Sequence, residues 1–201
     1  MYKNINYFIV MITMSVLLVL ALFFYGCRRS PVMDSHDYAS SVDIDFTADY
    51  MPKECKYIVV HTSDNYVPTK INKTNGRAYF DRVADERGFP TGSYHYAIYE
   101  DGSVDTLVKL NMNKYIEYWE KTCGVAGYNS VSIHIVYVGG KTRWTKYTDT
   151  RTPAQKLSMM KLIVFLQSRF PKAAVVSHNE LNPDKPCPNF KASQWYQTMK
   201  L

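Results

Sequence analysis

The pattern of apolar and polar positions divides the 201-residue chain into three parts. Residues Tyr7 to Gly26, "YFIVMITMSVLLVLALFFYG", carry no charge, with Lys3 before them and "CRRS" after them. As a helix this run spans roughly 30 Å, the thickness of a bilayer's hydrocarbon layer, so residues 1–29 are predicted to be a signal peptide or membrane anchor. Residues 30–53 are polar and acidic without a period and read as a tether. Periodic patterning then sets the folded domain at residues 54–201.

Within that domain "KYIVVH" (Lys56 to His61) reads as a buried strand. "GRAYFDRVADERG" places Tyr79, Phe80, Val83 and Ala84 on one helical face, with Gly88 as the stop and Pro90 beyond. "SYHYAIYEDGSVDTLV" predicts a hairpin around Asp101-Gly102. "SVSIHIVYVGG" (Ser130 to Gly140) is almost continuously apolar, as a central strand should be. Thr152 as N-cap and Pro153 at the first helical position open a helix running to Phe170. That helix is apolar around most of its circumference and is expected to be largely buried. "AAVVSH" predicts a last strand ending at His178, and a short helix follows Phe190. Strands alternating with helices, interrupted by one hairpin, predict an α/β fold with a mixed central β-sheet flanked by helices.

Composition adds less than pattern. A hydrophobic content of 46% against 21% charged residues supports a packed core. The 17 tyrosines lean towards an extracytoplasmic, sugar-facing protein. The net charge of +6 suits an anionic partner, yet basic residues such as Lys121, Lys141, Arg143 and Lys146 stand singly. With no run of like charge, nucleic-acid binding is not expected.

The cysteines and histidines carry the candidate chemistry. Gly26-Cys27 loosely resembles a lipoprotein cleavage box, although Phe24 and Tyr25 stand where smaller or aliphatic residues are usual. Cleavage, lipidation at Cys27 and a retained anchor all remain open. Cys55 and Cys123 either pair in an oxidising compartment or stay free. His61 and His178 each close an apolar strand and precede small polar residues, at the strand ends where α/β proteins keep their sites. In "HNELNPDKPCPNF" Cys187 lies between Pro186 and Pro188, which restrict the backbone around the sulfur. Two imidazoles and a thiolate supply three zinc ligands and leave a fourth position for water. The spacing fits equally well two buried, hydrogen-bonded histidines and half of a disulfide.

From about Lys56 to Trp195, five motifs in order resemble the zinc-dependent N-acetylmuramoyl-L-alanine amidases, the family shared by phage lysozyme-type amidases and peptidoglycan recognition proteins. They are "YIVVHTSD", "GFPTGSYHYAIYEDGSV", "GYNSVSIHIVYVGG", "TPAQ" and "SHNELNPDKPCPNF". The resemblance implies Zn2+ held by His61, His178 and Cys187, with Tyr94 as the active-site tyrosine and Lys185 as the lysine preceding the metal cysteine. It implies zinc-activated water attacking the amide between the lactyl group of N-acetylmuramic acid and L-alanine. Lys185 would stabilise the oxyanion, and Tyr94 would orient water or pass a proton to the leaving amine. The implied partner is peptidoglycan, met by a monomer on the extracytoplasmic side of the membrane that holds the N-terminal segment.

Two departures from the family pattern stand out. Cys123-Gly124 occupies a place near the cleft where a histidine is often found, and His134 replaces the usual glycine of the central strand. His134 could reach the cleft or pack against the sheet, and packing is the expectation; His95 is expected to support the hairpin, and His36 to play no part. Two rivals share these features: a non-catalytic peptidoglycan receptor, and an anchored interaction domain with a closed, structural zinc site.

Overall fold

The computed structural model describes residues 51–199. The apolar run Tyr7 to Gly26, Cys27, His36 and the tether up to residue 50 lie outside the described residues. Among those described, no helix is long and apolar enough to cross a membrane. The strands are β1 (Lys53–Glu54), β2 (Tyr57–Thr62), β3 (Asn65–Tyr66), β4 (Tyr96–Ile98), β5 (Val104–Thr106), β6 (Tyr115–Ile116), β7 (Ser132–Tyr137), β8 (Gly140–Lys141) and β9 (Ala174–Ser177). The helices are α1 (Gly76–Glu86), α2 (Pro153–Arg169), α3 (His178–Leu181) and α4 (Ala192–Met199).

Five of these strands form the central sheet in the order β5-β4-β7-β2-β9. The β4, β7, β2 and β9 strands run parallel, and β5 folds back antiparallel on β4. This is the mixed sheet that the apolar runs and the Asp101-Gly102 turn predict. In that turn Asp101 accepts the Ser103 N–H at 2.8 Å, and Gly102 adopts a φ of +83°. The nearly continuous apolar run becomes β7, which sits mid-sheet with all six residues buried.

Side chains alternate across the sheet and divide the core in two. On one face Ile58, Val60, Ile133, Ile135 and Tyr137 pack with Met159, Ile163 and Leu166 of α2. On the other, Ala97, Val136 and Val138 pack with Phe80 of α1 and with Tyr99. The same alternation places His95, His134 and His61 on the α1 face, each two residues from an apolar member of that face.

The α2 helix opens as expected. Thr152 Oγ1 accepts the Gln155 N–H at 3.0 Å, and Gln155 Oε1 accepts the Thr152 N–H at 3.0 Å. Gln155 Nε2 also donates to the carbonyls of Ile98 and Val138, bolting the helix to the sheet. The expectation of a largely buried helix is corrected, because Leu157, Val164 and Phe165 are 46% to 55% exposed. A helix lying on a sheet covers only one of its own sides, and here the outer side is also apolar. The last strand likewise ends at Ser177 rather than His178. The Ser177 N–H donates to Glu180 Oε2 at 2.7 Å and starts α3 there. Cys55 is a buried free thiol and Cys123 is disulfide-bonded, so the two do not pair with each other.

Candidate metal centre

The register of the sheet delivers the first two site residues. His61 is the penultimate residue of β2, opposite Val136 of β7, and is 1% exposed. The β9 strand lies on the other side of β2, pairing Ser177 with Val60. His178, one residue further, therefore arrives beside His61, with ring centroids 4.9 Å apart.

Cys187 comes from the loop between α3 and α4, and that loop is fastened at several points. The Asn179 N–H donates to the Cys187 carbonyl at 2.8 Å, and the Tyr137 hydroxyl donates to the Pro188 carbonyl at 2.9 Å. Asn189 Nδ2 donates to the Gly140 and Thr148 carbonyls at 3.1 and 3.0 Å. Phe190 lies under the Arg151 guanidinium, whose carbon is 3.4 Å from the ring centroid, and Arg151 is ion-paired with Asp149 at 3.0 Å. The sulfur is thus held by a hydrogen-bonded loop as well as by flanking prolines.

The ligand atoms of His61, His178 and Cys187 all lie within 4.8 Å of one another. Cys187 Sγ is 3.7 Å from His61 Nδ1. A tetrahedral zinc with ~2.1 Å bonds to nitrogen and a ~2.3 Å bond to sulfur separates such atoms by about 3.6 Å, so the donor set fits that ion. The Thr62 N–H donates to Cys187 Sγ at 3.3 Å, an interaction that favours thiolate over thiol.

Electrostatics prepare the imidazoles. Burial, then the neighbouring His178, hold the pKa of His61 well below the ordinary histidine value. Burial, then the charge of Lys185, lower His178 to about 4. Both rings are therefore neutral near pH 7, with lone pairs available. Burial pushes the Cys187 thiol up to about 12; the Thr62 N–H opposes this, Asp64 adds to it, and Lys185 opposes it. A cation entering the site must displace that thiol proton.

Tyr94 lies two residues before β4 with its ring centroid 5.2 Å from that of His61, and its ring also meets Phe80 edge-on at 5.9 Å. Burial, then the charge of Cys187, raise the phenol above its usual range, against the pull of Arg87. Tyr94 is therefore a neutral donor beside the centre. Lys185 is exposed, two residues before Cys187, and its charge reaches both His178 and Cys187.

Two participants escaped the sequence reading, as did the contact made by a third. Thr62 contributes through its backbone, which residue type does not reveal. Arg87, at the end of α1, meets Tyr94 only in the folded chain. His134 is fully buried, as packing against the sheet requires, yet its Nδ1 also lies 3.0 Å from His61 Nε2. The sequence marks His134 as a departure from the family pattern, but its contact with His61 needs the strand register, which pairs Val59 with His134. His95 is structural as expected: Nε2 donates to the Glu120 carbonyl at 2.9 Å, and Nδ1 accepts the His134 N–H at 2.9 Å.

Comparison with known proteins identifies the family. The family model described as "N-acetylmuramoyl-L-alanine amidase" matches residues 51–190. The endolysin of Escherichia phage T7 is 29% identical over 145 residues, covering 72% of this chain and 87% of that protein. Among solved structures, the N-acetylmuramoyl-L-alanine amidase LysC from Clostridium intestinale URNW superposes with a TM-score of 0.56 at 18% identity. That match covers 74% of this chain and 87% of the other, and at such identity it concerns the fold alone. The Ph2119 endolysin from Thermus scotoductus MAT2119 bacteriophage Ph2119 is 26% identical with a TM-score of 0.50, covering 71% of this chain and 83% of its own.

Proposed function

The chain belongs to the N-acetylmuramoyl-L-alanine amidase family and hydrolyses the amide bond between N-acetylmuramic acid and the L-alanine of the peptidoglycan stem peptide; we propose that it does so with zinc held by His61, His178 and Cys187. The observation that carries this reading is the convergence of two imidazole nitrogens and one sulfur, from three separate segments, within 4.8 Å. Among the described residues the cluster has three protein donors, one fewer than a structural zinc site takes, which favours a catalytic over a structural role. When bound, zinc acts as a Lewis acid on the scissile carbonyl and acidifies water towards neutral pH.

The chain's own residues divide the remaining work. His61 and His178 offer neutral nitrogen donors, and the Thr62 N–H supports the Cys187 thiolate. Tyr94, kept as a phenol, donates a hydrogen bond where charge gathers on the carbonyl oxygen and can pass a proton to the leaving amine. Lys185 is an exposed, compact cation whose charge reaches His178 and Cys187, and it would offset the developing oxyanion.

Peptidoglycan lies outside the cytoplasmic membrane, so we place the domain there as a monomer, tethered by the apolar run Tyr7 to Gly26. Digestion of purified peptidoglycan by the full-length chain, with mass analysis of the products, tests the activity. Free stem peptides beginning with L-alanine are expected, and their loss in Cys187→Ser. Binding to the wall material without peptide release would instead indicate a receptor.

A further inference from the structure

All four described histidines stand in one row across the sheet. Ring centroids are 5.9 Å apart from His95 to His134, 5.1 Å from His134 to His61, and 4.9 Å from His61 to His178. Two of them, His61 and His178, belong to the metal centre, and His95 is spent on backbone groups at both ring nitrogens. His134 is the one whose role the proposed reaction leaves open.

Its surroundings are specific. The ring is 0% exposed, and its only hydrogen bond among the described residues joins Nδ1 to His61 Nε2 at 3.0 Å. Its other nitrogen, Nε2, is buried without a partner. A buried, unsatisfied imidazole nitrogen costs stability, and a small residue on β7 would avoid that cost. The protein also makes room for the ring. A Cβ on Gly124 would lie 2.4 Å from His134 Nδ1 and 2.5 Å from its Cγ, so any residue but glycine there displaces the imidazole. Gly124, in the loop before β7, and His134, within it, thus form one unit.

The direction of the hydrogen bond follows from the metal centre. His61 Nδ1 faces Cys187 Sγ at 3.7 Å, so Nδ1 is the nitrogen that turns to the ion and must present a lone pair. The His61 proton then sits on Nε2 and is donated to His134 Nδ1. With the roles reversed, His61 would be protonated on Nδ1 and closed to the metal. We propose that His134 is a positioning residue whose Nδ1 accepts the His61 Nε2–H, fixing the tautomer and ring plane that present the His61 Nδ1 lone pair to zinc, with Gly124 supplying the space for the ring. The inference rests on the reading of His61 as a zinc ligand. Partners of this kind tune a ligand's basicity and orientation, and their loss typically weakens metal binding by about 10–100-fold.

The test is zinc affinity of the full-length chain, measured by competition with a chromophoric chelator, alongside 15N shifts of the His61 ring in the metal-free protein. His134→Ala is expected to weaken zinc binding about 10–100-fold. His134→Asn, whose Oδ1 can stand in for Nδ1, should recover most of that loss, and Gly124→Ala should reproduce the defect with the imidazole still present. In the unsubstituted protein the shifts should report His61 protonated on Nε2, a readout that needs no variant to fold. Should His61→Ala abolish binding while His134→Ala binds zinc like the parent chain, the positioning role is wrong and the metal site stands. Should His61→Ala itself bind zinc normally, the metal reading fails and this inference with it. A His61 ring protonated on Nδ1 overturns the proposal directly.

Discussion

Lys185 and Cys187 stand two positions apart on one loop but are asked to do separable things, and that separation can be measured. Cys187 holds the metal, whereas Lys185 acts on charge that exists only during the reaction. Lys185→Ala should therefore keep its bound zinc and lose turnover by roughly 10²–10³-fold, the usual effect of removing an oxyanion partner. Zinc content and peptide release measured on the same sample check this, and unchanged turnover would remove Lys185 from the mechanism. The thiol gives a second prediction. Burial and the charge of Lys185 lower His178 to about 4, and burial raises Cys187 to about 12, so between those limits each zinc bound by the metal-free protein would release the thiol proton, joined near and above neutral pH by one from its water. Apparent affinity should rise by at least about tenfold per pH unit between about pH 6 and 8, and steeply again below about pH 4 where His178 is also protonated. A pH-independent affinity across the neutral range would contradict thiolate ligation. At this scale the sequence was informative where chemistry follows residue type: the ligand atoms of His61, His178 and Cys187 lie within 4.8 Å of one another, the Tyr94 ring lies beside His61, and the charge of Lys185 reaches His178 and Cys187. It was silent on Thr62, which acts through its backbone, and on the contact between His134 and His61, which needs strand register.

Arg151 shows how an element's packing reaches the site without touching it. It is 6% exposed, paired with Asp149, and stacked within 3.4 and 4.4 Å of the Phe190 and Trp195 ring centroids. It thereby clamps the segment that follows Cys187 and the start of α4. Arg151→Ala should cost about 2–4 kcal/mol, since it strips a largely buried charge pair and two ring contacts. Arg151→Lys should recover little of this, because an ammonium cannot lie flat on two rings. Denaturant unfolding midpoints measure both, and a change under about 0.5 kcal/mol for Arg151→Ala would contradict the clamp. Elements of this kind were legible in proportion to their contrast. The β2 and β7 runs and the Thr152-Pro153 start of α2 announce themselves. Neither β3 nor β8 does, because a two-residue strand has no period. The outer face of α2 misled because Leu157, Val164 and Phe165 are as apolar as the face that packs.

For the molecule as a whole, the two core clusters lie on the faces of the sheet and owe nothing to the metal. The domain should therefore survive metal removal with its secondary structure intact. Chelation is expected to abolish peptide release and lower the melting temperature, since a ligand present at 1,000 times its Kd adds about 4 kcal/mol of stability. Far-UV circular dichroism should hardly change, and a collapse of that signal on chelation would mean that zinc builds the fold. The most direct test of the account is X-ray absorption at the zinc edge of the loaded full-length chain. It should report two imidazole nitrogens at ~2.0 Å, one sulfur at ~2.3 Å, and one further light atom not supplied by the protein. A shell without sulfur, or one closed by a fourth protein ligand, would contradict it.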